Sequence, residues 1–228
     1  YKFYLSDFDY YKLYPINSRF KIWIDDKITT KYILSPFDEY LPKYYCHLKN
    51  KSLIIPLIDG KTIKTIEDVI KLLEREEKLA LKRIAGSMGK GFYKISYKNN
   101  SFYINDNMVN KSEFINFLSG LEDYLITEYI QAHTDIKRIS NFGLNTLRVM
   151  VINEYGEKPI IANAFMRFGT KQTGLVDNAS AGGIFAIVEI ESGKYHSPKR
   201  MENNEVIDYK VHPDTNEKIE GILPYWDS

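Results

Sequence analysis

Residues 79–95 read LALKRIAGSMGKGFYKI, and this stretch decides the fold that the sequence predicts. Two apolar runs flank a loop that holds three glycines in six residues, 86–91. The first run is compatible with a strand that ends at Gly86, and a second run begins at Phe92, so the pattern predicts strand, loop, strand. Lys82 then lies on the first strand, beside the loop.

The loop is chemically suited to an anion, and its residues in order are Gly86, Ser87, Met88, Gly89, Lys90 and Gly91. Glycines let the backbone approach a ligand closely, so loop amides and Lys90 can surround phosphate oxygens while Lys82 supplies a fixed positive charge. The loop is not a Walker P-loop, because that motif needs Ser or Thr where Gly91 stands. A glycine-rich hairpin that binds nothing is the alternative.

Composition excludes several classes of function. The 228 residues carry 31 basic and 30 acidic side chains, a net charge of +1, which gives no electrostatic case for a nucleic-acid partner or an acidic membrane surface. Cys46 is the only cysteine, so disulfides within the chain are excluded, and we expect a cytoplasmic protein. No stretch approaches about 18 consecutive apolar residues, so no membrane segment is predicted.

The first predicted unit is a leading segment, residues 1–51, to which the pattern assigns no chemistry. Alternation of Phe20, Ile22 and Ile24 predicts one short strand there.

The second predicted unit is a small lobe, residues 52–127, that contains the lysine strand and the glycine loop. Thr65, with Asp68 three residues later, predicts the start of an amphipathic helix. Ser112 is expected to cap a second helix that ends near Leu118.

The third predicted unit is a larger lobe, residues 128–228. Residues 121–130 predict a strand that leaves the small lobe, with Glu128 interrupting its apolar pattern. A carboxylate and backbone groups at such a strand can read the amino edge of adenine. The alternative is that Glu128 faces solvent on an edge strand.

Two arginines lie on strands that the pattern makes antiparallel neighbours. Arg148 falls within residues 141–152, and Arg167 lies near the end of residues 160–168. Planar guanidinium groups can converge on one anion, although spacing does not decide whether the two side chains share a face, and exposed charges are the alternative. Small residues in 178–183 permit a ligand to lie against the backbone of the next loop.

Taken in order, these motifs resemble the ATP-grasp superfamily, in particular its sugar-transfer associated branch. The resemblance rests on the lysine strand and glycine loop, LITEYI at 125–130, NTLR at 145–148, the second-strand arginine and VDNASAGG at 176–183. It covers roughly residues 52–226, and the later portion is also similar to glutamate-ligase-type members.

The resemblance implies an α+β ATP-grasp fold, in which two lobes with antiparallel sheets clamp ATP. It also implies ATP and Mg²⁺ as cofactors and a role for each matching residue. Lys82 would contact the α- and β-phosphates under the closing loop. The adenine hinge would be formed by Glu128, Tyr129 and Ile130. Arg148 and Arg167 would hold the γ-phosphate or an acyl phosphate, and Asn178 would line the reacting end of the site.

The activity implied is that of an ATP-dependent ligase, which forms an acyl phosphate from a carboxylate and joins it to an amine or another nucleophile. The implied setting is cell-surface polysaccharide biosynthesis, with a small-molecule or sugar-linked substrate. A kinase-like phosphotransferase on the same fold and a non-catalytic nucleotide- or carbohydrate-binding protein are the alternatives. The family's magnesium ligands, an acidic residue and a Glu-x-Asn, have no match after Asp177, so we expect the visible chain to stop before them.

Overall fold

The computed structural model describes residues 21–51, 53–86, 89–153, 156–203 and 205–226, with Lys21 and Ile22 described by their backbone alone. The chain divides into two units, Tyr1–Tyr129 and Ile130–Ser228. Each unit contains an antiparallel sheet and short helices, so the fold class is α+β, as the sequence predicts.

The described part of the first unit begins with helices and continues with a sheet that two longer helices accompany. Its elements are α1 (Lys21–Asp25), α2 (Lys27–Ile33), a 3₁₀ helix (Ser35–Tyr40), β1 (Tyr44–Asn50), β2 (Leu53–Pro56), α3 (Ile66–Glu76), β3 (Lys78–Arg83), β4 (Tyr93–Lys98), β5 (Ser101–Ile104), β6 (Asn107–Val109), α4 (Lys111–Gly120) and β7 (Tyr124–Glu128).

The seven described strands of this unit form one sheet in the order β2-β1-β7-β3-β4-β5-β6. Every described pair is antiparallel, and β7 lies between β1 and β3. The strand, loop, strand prediction for residues 79–95 is confirmed, because β3 and β4 flank the glycine loop. Leu79 and Leu81 of β3 are buried in the main core. Lys82 points to the other face, because successive strand residues alternate between faces.

Helices α3 and α4 contribute to the core of the first unit. Thr65 begins α3 as predicted, since its hydroxyl accepts from the Asp68 N–H at 3.1 Å and the Asp68 carboxylate accepts from the Thr65 N–H at 3.0 Å. This reciprocal pair satisfies two backbone donors that a helix start otherwise leaves free. Phe114 of α4 is fully buried in the same cluster and stacks on Phe102, with ring centroids 4.8 Å apart.

The second unit also combines short helices with an antiparallel sheet. Its described elements are α5 (Thr134–Ile139), β8 (Leu147–Ile152), β9 (Ile160–Phe168), a 3₁₀ turn (Ala179–Ala181), β10 (Ile184–Val188), β11 (Lys194–Glu202), β12 (Glu205–Asp208) and β13 (Gly221–Ile222). The strand order is β12-β11-β10-β9-β8, with β13 paired to β11. Alternate residues of β9, namely Ala164, Met166 and Phe168, are buried, which leaves Phe165 and Arg167 on the opposite face.

Some predicted boundaries and elements are wrong. The short strand predicted from Phe20, Ile22 and Ile24 is helical where it is described, because α1 spans Lys21–Asp25, and Phe20 lies outside the described residues. The strand predicted over 121–130 is restricted to Tyr124–Glu128.

The strand predicted over 141–152 begins only at Leu147. The preceding residues turn instead of extending, with positive φ at Gly143 and Asn145. The Asn145 amide holds this turn by donating to the Ser140 carbonyl at 2.7 Å and accepting from the Gly169 N–H at 2.8 Å.

The cap predicted for α4 is also wrong. Asn110, rather than Ser112, accepts from the Glu113 N–H at 2.9 Å, and the Glu113 carboxylate accepts from the Asn110 N–H at 2.9 Å. Ser112 lies exposed within the first turn.

No helix in the described ranges is long and apolar enough to cross a membrane.

The two candidate caps give a matched stability test. We expect Asn110→Ala to destabilise α4 by about 1 kcal/mol, because the Glu113 N–H loses its acceptor. Ser112→Ala should change stability by less than about 0.5 kcal/mol, as an exposed substitution outside such a motif. Urea unfolding and hydrogen exchange of residues 111–120 measure both effects. Equal effects of the two substitutions would contradict the assignment of Asn110 as the cap.

Candidate functional site

The glycine loop and the lysine strand of the first unit enclose a cavity of about 220 Å³. It is lined by Lys27, Lys82, Arg83, Gly86, Gly89, Lys90 and Phe92. The structure therefore brings together four of the residues that the sequence predicts for phosphate binding. Two more of them, Ser87 and Met88, lie outside the described residues.

Glycine is needed where the loop turns. Gly89 and Gly91 have φ of +69° and +71°, a conformation that side chains with a Cβ rarely adopt. At Gly91 a Cβ would also lie 2.6 Å from the Tyr124 hydroxyl oxygen. The loop thus depends on glycine for its backbone path.

Lys27 was missed in the sequence analysis, although it lines the same cavity as Lys82. Asp26 caps α2 by accepting from the Thr29 N–H at 2.7 Å, and Asp26 forms an isolated bridge with Ala85. The Lys27 ammonium group donates to the carbonyl oxygens of Gly86 at 3.0 Å and Ile84 at 3.3 Å. No local pattern in the sequence marks Lys27, because its contact with Gly86 joins residues 59 positions apart.

The cavity concentrates positive charge in partly dehydrated surroundings. Burial lowers the pKa of Lys82 from its ordinary value, and the charge of Lys27 lowers it further. Burial also lowers the pKa of Lys27, although Asp26 and Asp25 oppose this shift. Removing water and adding a like charge both disfavour an ammonium ion, so an anion bound in the cavity would stabilise both lysines.

The predicted hinge residues lie outside this cavity lining. Glu128 pairs with Leu79 in the sheet, and its carboxylate accepts from the Lys43 N–H at 3.1 Å. Tyr129 is half-buried beside the Lys94 ammonium group, which lies 6.0 Å from the ring centroid. Burial raises the pKa of the Tyr129 hydroxyl. Ile130 is 45% exposed. The Glu128 carboxylate is thus already engaged by the backbone of the first unit.

Arg148 and Arg167 of the second unit share one face of its sheet. Arg148 pairs directly with Phe165, which is two residues from Arg167 on β9. Paired residues in an antiparallel sheet point to the same side, as do residues two apart on one strand. The strand register therefore places both arginines on one face of the sheet, which sequence spacing alone does not decide.

The two arginines differ in their surroundings. Arg167 is 20% exposed, and its Nη2 lies 3.2 Å from the Asp177 carboxylate. Its Nε donates to the Thr146 hydroxyl at 3.0 Å, and its Nη1 lies 3.4 Å from the Asn178 side-chain oxygen. Arg148 is exposed. Thr146 and Asp177 were not predicted as site residues.

The loop after Asp177 packs closely against its own backbone at Gly183. A Cβ at Gly183 would lie 2.5 Å from the Asp177 carbonyl oxygen. Gly182 adopts φ of +99°, which glycine permits.

Among the residues that the structure describes, no three or more His, Cys, Asp or Glu side chains gather as they would around a metal ion. The buried Asp177 carboxylate is occupied by Thr146 and Arg167.

These features define a class of protein. A lysine strand with a glycine loop in one α+β unit, and an antiparallel sheet with strand arginines in the other, are the parts of an ATP-grasp fold.

A family model described as sugar-transfer associated ATP-grasp matches residues 6–228, and the chain belongs to this family. No curated protein and no solved structure matches the chain.

The pKa of Lys82 can be tested directly. We expect the Lys82 ammonium group to lose its proton below the ordinary value of 10.5, because burial and Lys27 both disfavour its charge. Lys27→Met should move this titration to higher pH, since one of the two causes is removed. Side-chain NMR of isotope-labelled lysine measures the titration.

Lys61→Met is the matched control, because Lys61 is exposed and does not line the cavity. An unchanged Lys82 titration in Lys27→Met would contradict the electrostatic coupling of the two lysines.

Proposed function

We propose that this chain is an ATP-dependent ligase that activates a carboxylate as an acyl phosphate and joins it to an amine or another nucleophile. The observation that carries the proposal is the loop cavity, where Lys27, Lys82 and Lys90 surround a glycine-rich backbone. Membership of the ATP-grasp family supports an enzyme of ATP-dependent ligase type.

The proposed chemistry has two steps. In the first, a carboxylate oxygen attacks the γ-phosphorus, the bond to the bridging oxygen breaks, and ADP leaves. In the second, the nucleophile attacks the acyl carbon, loses its proton, and inorganic phosphate leaves. Phosphoryl transfer relies on positioning and on neutralising negative charge, which are what lysines and arginines supply.

Each side chain has a proposed part in these steps. Lys82 and Lys27 bind the α- and β-phosphates, while Lys90 and the loop amides cover them. Arg148 and Arg167 bind the phosphate that is transferred, and Asn178 orients the reacting group.

We propose fewer adenine-binding groups at the hinge than the family resemblance implies. Because the Glu128 carboxylate accepts from the Lys43 N–H and the Glu128 N–H donates to the Lys43 carbonyl oxygen, we assign adenine recognition to the backbone groups of Tyr129 and Ile130. Amide donors and carbonyl acceptors there can pair with the edge of the base.

The proposed setting is cell-surface polysaccharide biosynthesis, where the carboxylate or the nucleophile belongs to a sugar-linked substrate. The description of the family as sugar-transfer associated supports this setting.

Nucleotide binding is the first test. Magnesium-ATP at about 100 times its dissociation constant should stabilise the chain by about 2.7 kcal/mol. For a chain of this size the melting temperature should then rise by roughly 5 to 11 °C. Lys82→Met should abolish the rise, because the fixed charge on the phosphates is lost, whereas Lys61→Met should retain it. Thermal melts with and without nucleotide measure this, and a full rise in Lys82→Met would refute the role of Lys82.

Turnover distinguishes a ligase from a kinase on the same fold. A ligase should release phosphate only when a carboxylate and a nucleophile are both present, because acyl transfer completes the cycle. The measurement is release of ADP and phosphate with paired panels of sugar acids and amines, together with mass spectrometry of the products. A phosphate group retained on the product would support a kinase instead. ATP binding without turnover across the panels would support a binding protein.

A further inference from the structure

Asp177 is a buried carboxylate whose negative charge is fully engaged. It is 5% exposed, and one oxygen accepts from the Thr146 N–H at 2.6 Å and from the Thr146 hydroxyl at 2.7 Å. Its other oxygen lies 3.2 Å from Arg167 Nη2. Burying a carboxylate is costly unless it is paired and hydrogen-bonded, and here both conditions are met within the unit.

The partners of Arg167 restrict its freedom to bind a ligand. Its guanidinium has five N–H donors, and each of its three nitrogens lies near an internal partner. Nε and Nη2 donate to the Thr146 hydroxyl, Nη2 also pairs with Asp177, and Nη1 lies beside Asn178. The charge of Arg167 is therefore largely compensated by Asp177.

Arg148 differs, because none of the described side chains forms an ion pair or a hydrogen bond with its guanidinium. It is exposed on the same sheet face, two residues after Thr146. Of the two arginines, Arg148 thus retains its full capacity for an anion.

Thr146 joins the parts of this network. Its hydroxyl accepts from Arg167 and donates to Asp177, and its carbonyl oxygen accepts from the Arg167 N–H at 2.9 Å. Thr146 therefore connects the start of β8 to the end of β9 and to the loop that carries Asn178. Loss of its hydroxyl would remove the acceptor of the Arg167 Nε–H without removing either charge.

We propose that Asp177 and Thr146 are positioning residues, which fix Arg167 and Asn178 beside Arg148 and leave Arg148 as the cation that binds the terminal phosphate of ATP. This inference rests on the proposed function, in which the arginine face binds the transferred phosphate. Arg167 in this arrangement shapes the anion site and contributes less net charge to it than Arg148 does.

The experiment compares binding of ATP and ADP, because only ATP carries the terminal phosphate. Isothermal titration calorimetry with each nucleotide and magnesium gives the ratio of the two affinities. Arg148→Met should lower ATP affinity at least about tenfold, since hydrogen bonds to charged groups are among the stronger ones. ADP affinity should stay unchanged. Thr146→Val should also lower the ratio of ATP affinity to ADP affinity. Thr146→Ser should keep the wild-type ratio, because serine retains the hydroxyl.

A second readout follows the guanidinium itself. The NMR signal of the Arg167 Nε–H should be protected from solvent exchange in the wild type and in Thr146→Ser, and exposed in Thr146→Val. Asp177→Asn, if it folds, should also expose the Arg167 Nε–H to solvent exchange, because the carboxylate that pairs with Nη2 and accepts from the Thr146 hydroxyl is removed. Thr146→Val supplies the test if Asp177→Asn does not fold.

The outcomes separate this inference from the proposed function. If ATP binding depends on Lys82 and Thr146→Val keeps the wild-type ATP preference, the positioning role is wrong and the proposed function stands. A Thr146→Val protein with a lower melting temperature and an equal loss of both affinities would reduce Thr146 to a structural role, which also overturns the inference. A wild type that binds neither nucleotide overturns the proposed function and this inference with it.

Discussion

The loop cavity depends on one constraint, which is that two lysine ammonium groups are held in partly dehydrated surroundings beside a glycine backbone. Dehydration and mutual repulsion both lower the pKa values of ammonium groups, and Lys82 experiences both effects. The fold tolerates this because the Gly86 and Ile84 carbonyl oxygens accept from Lys27. A bound phosphate would remove the remaining electrostatic penalty, so the same arrangement that costs stability without a ligand favours binding with one.

Charge is handled differently in the second unit. There the buried Asp177 compensates Arg167, and the Thr146 hydroxyl connects the two groups. Compensated charges give a rigid framework with little net attraction for a ligand, whereas the exposed Arg148 keeps its attraction. The two units therefore treat charge differently: the loop cavity holds partly dehydrated lysines, whereas the second unit pairs Arg167 with Asp177 on the sheet face of the exposed Arg148.

Local signals in the sequence were sufficient for several elements. The strand, loop, strand arrangement of residues 79–95 and the Thr65 cap depend on residues within a few positions of each other. The cap of α4 was misassigned although its signal was present, because Asn110 precedes Glu113 by three residues and Ser112 has no such partner. The short strand at residues 20–24 failed because alternation over three apolar residues is too short to distinguish a strand from a helical turn.

The sequence by itself determined the family, the glycine loop, Lys82 and the two arginine strands, since each is encoded in contiguous residues. Only the tertiary structure placed Lys27 at the cavity, because its contact with Gly86 spans 59 residues and depends on how the start of α2 meets the residues that follow β3. It also decided that Arg148 and Arg167 share a face and that Asp177 neutralises one of them. Strand register and ion pairs between distant residues depend on how separate segments meet in the folded chain, which the spacing within one segment does not show.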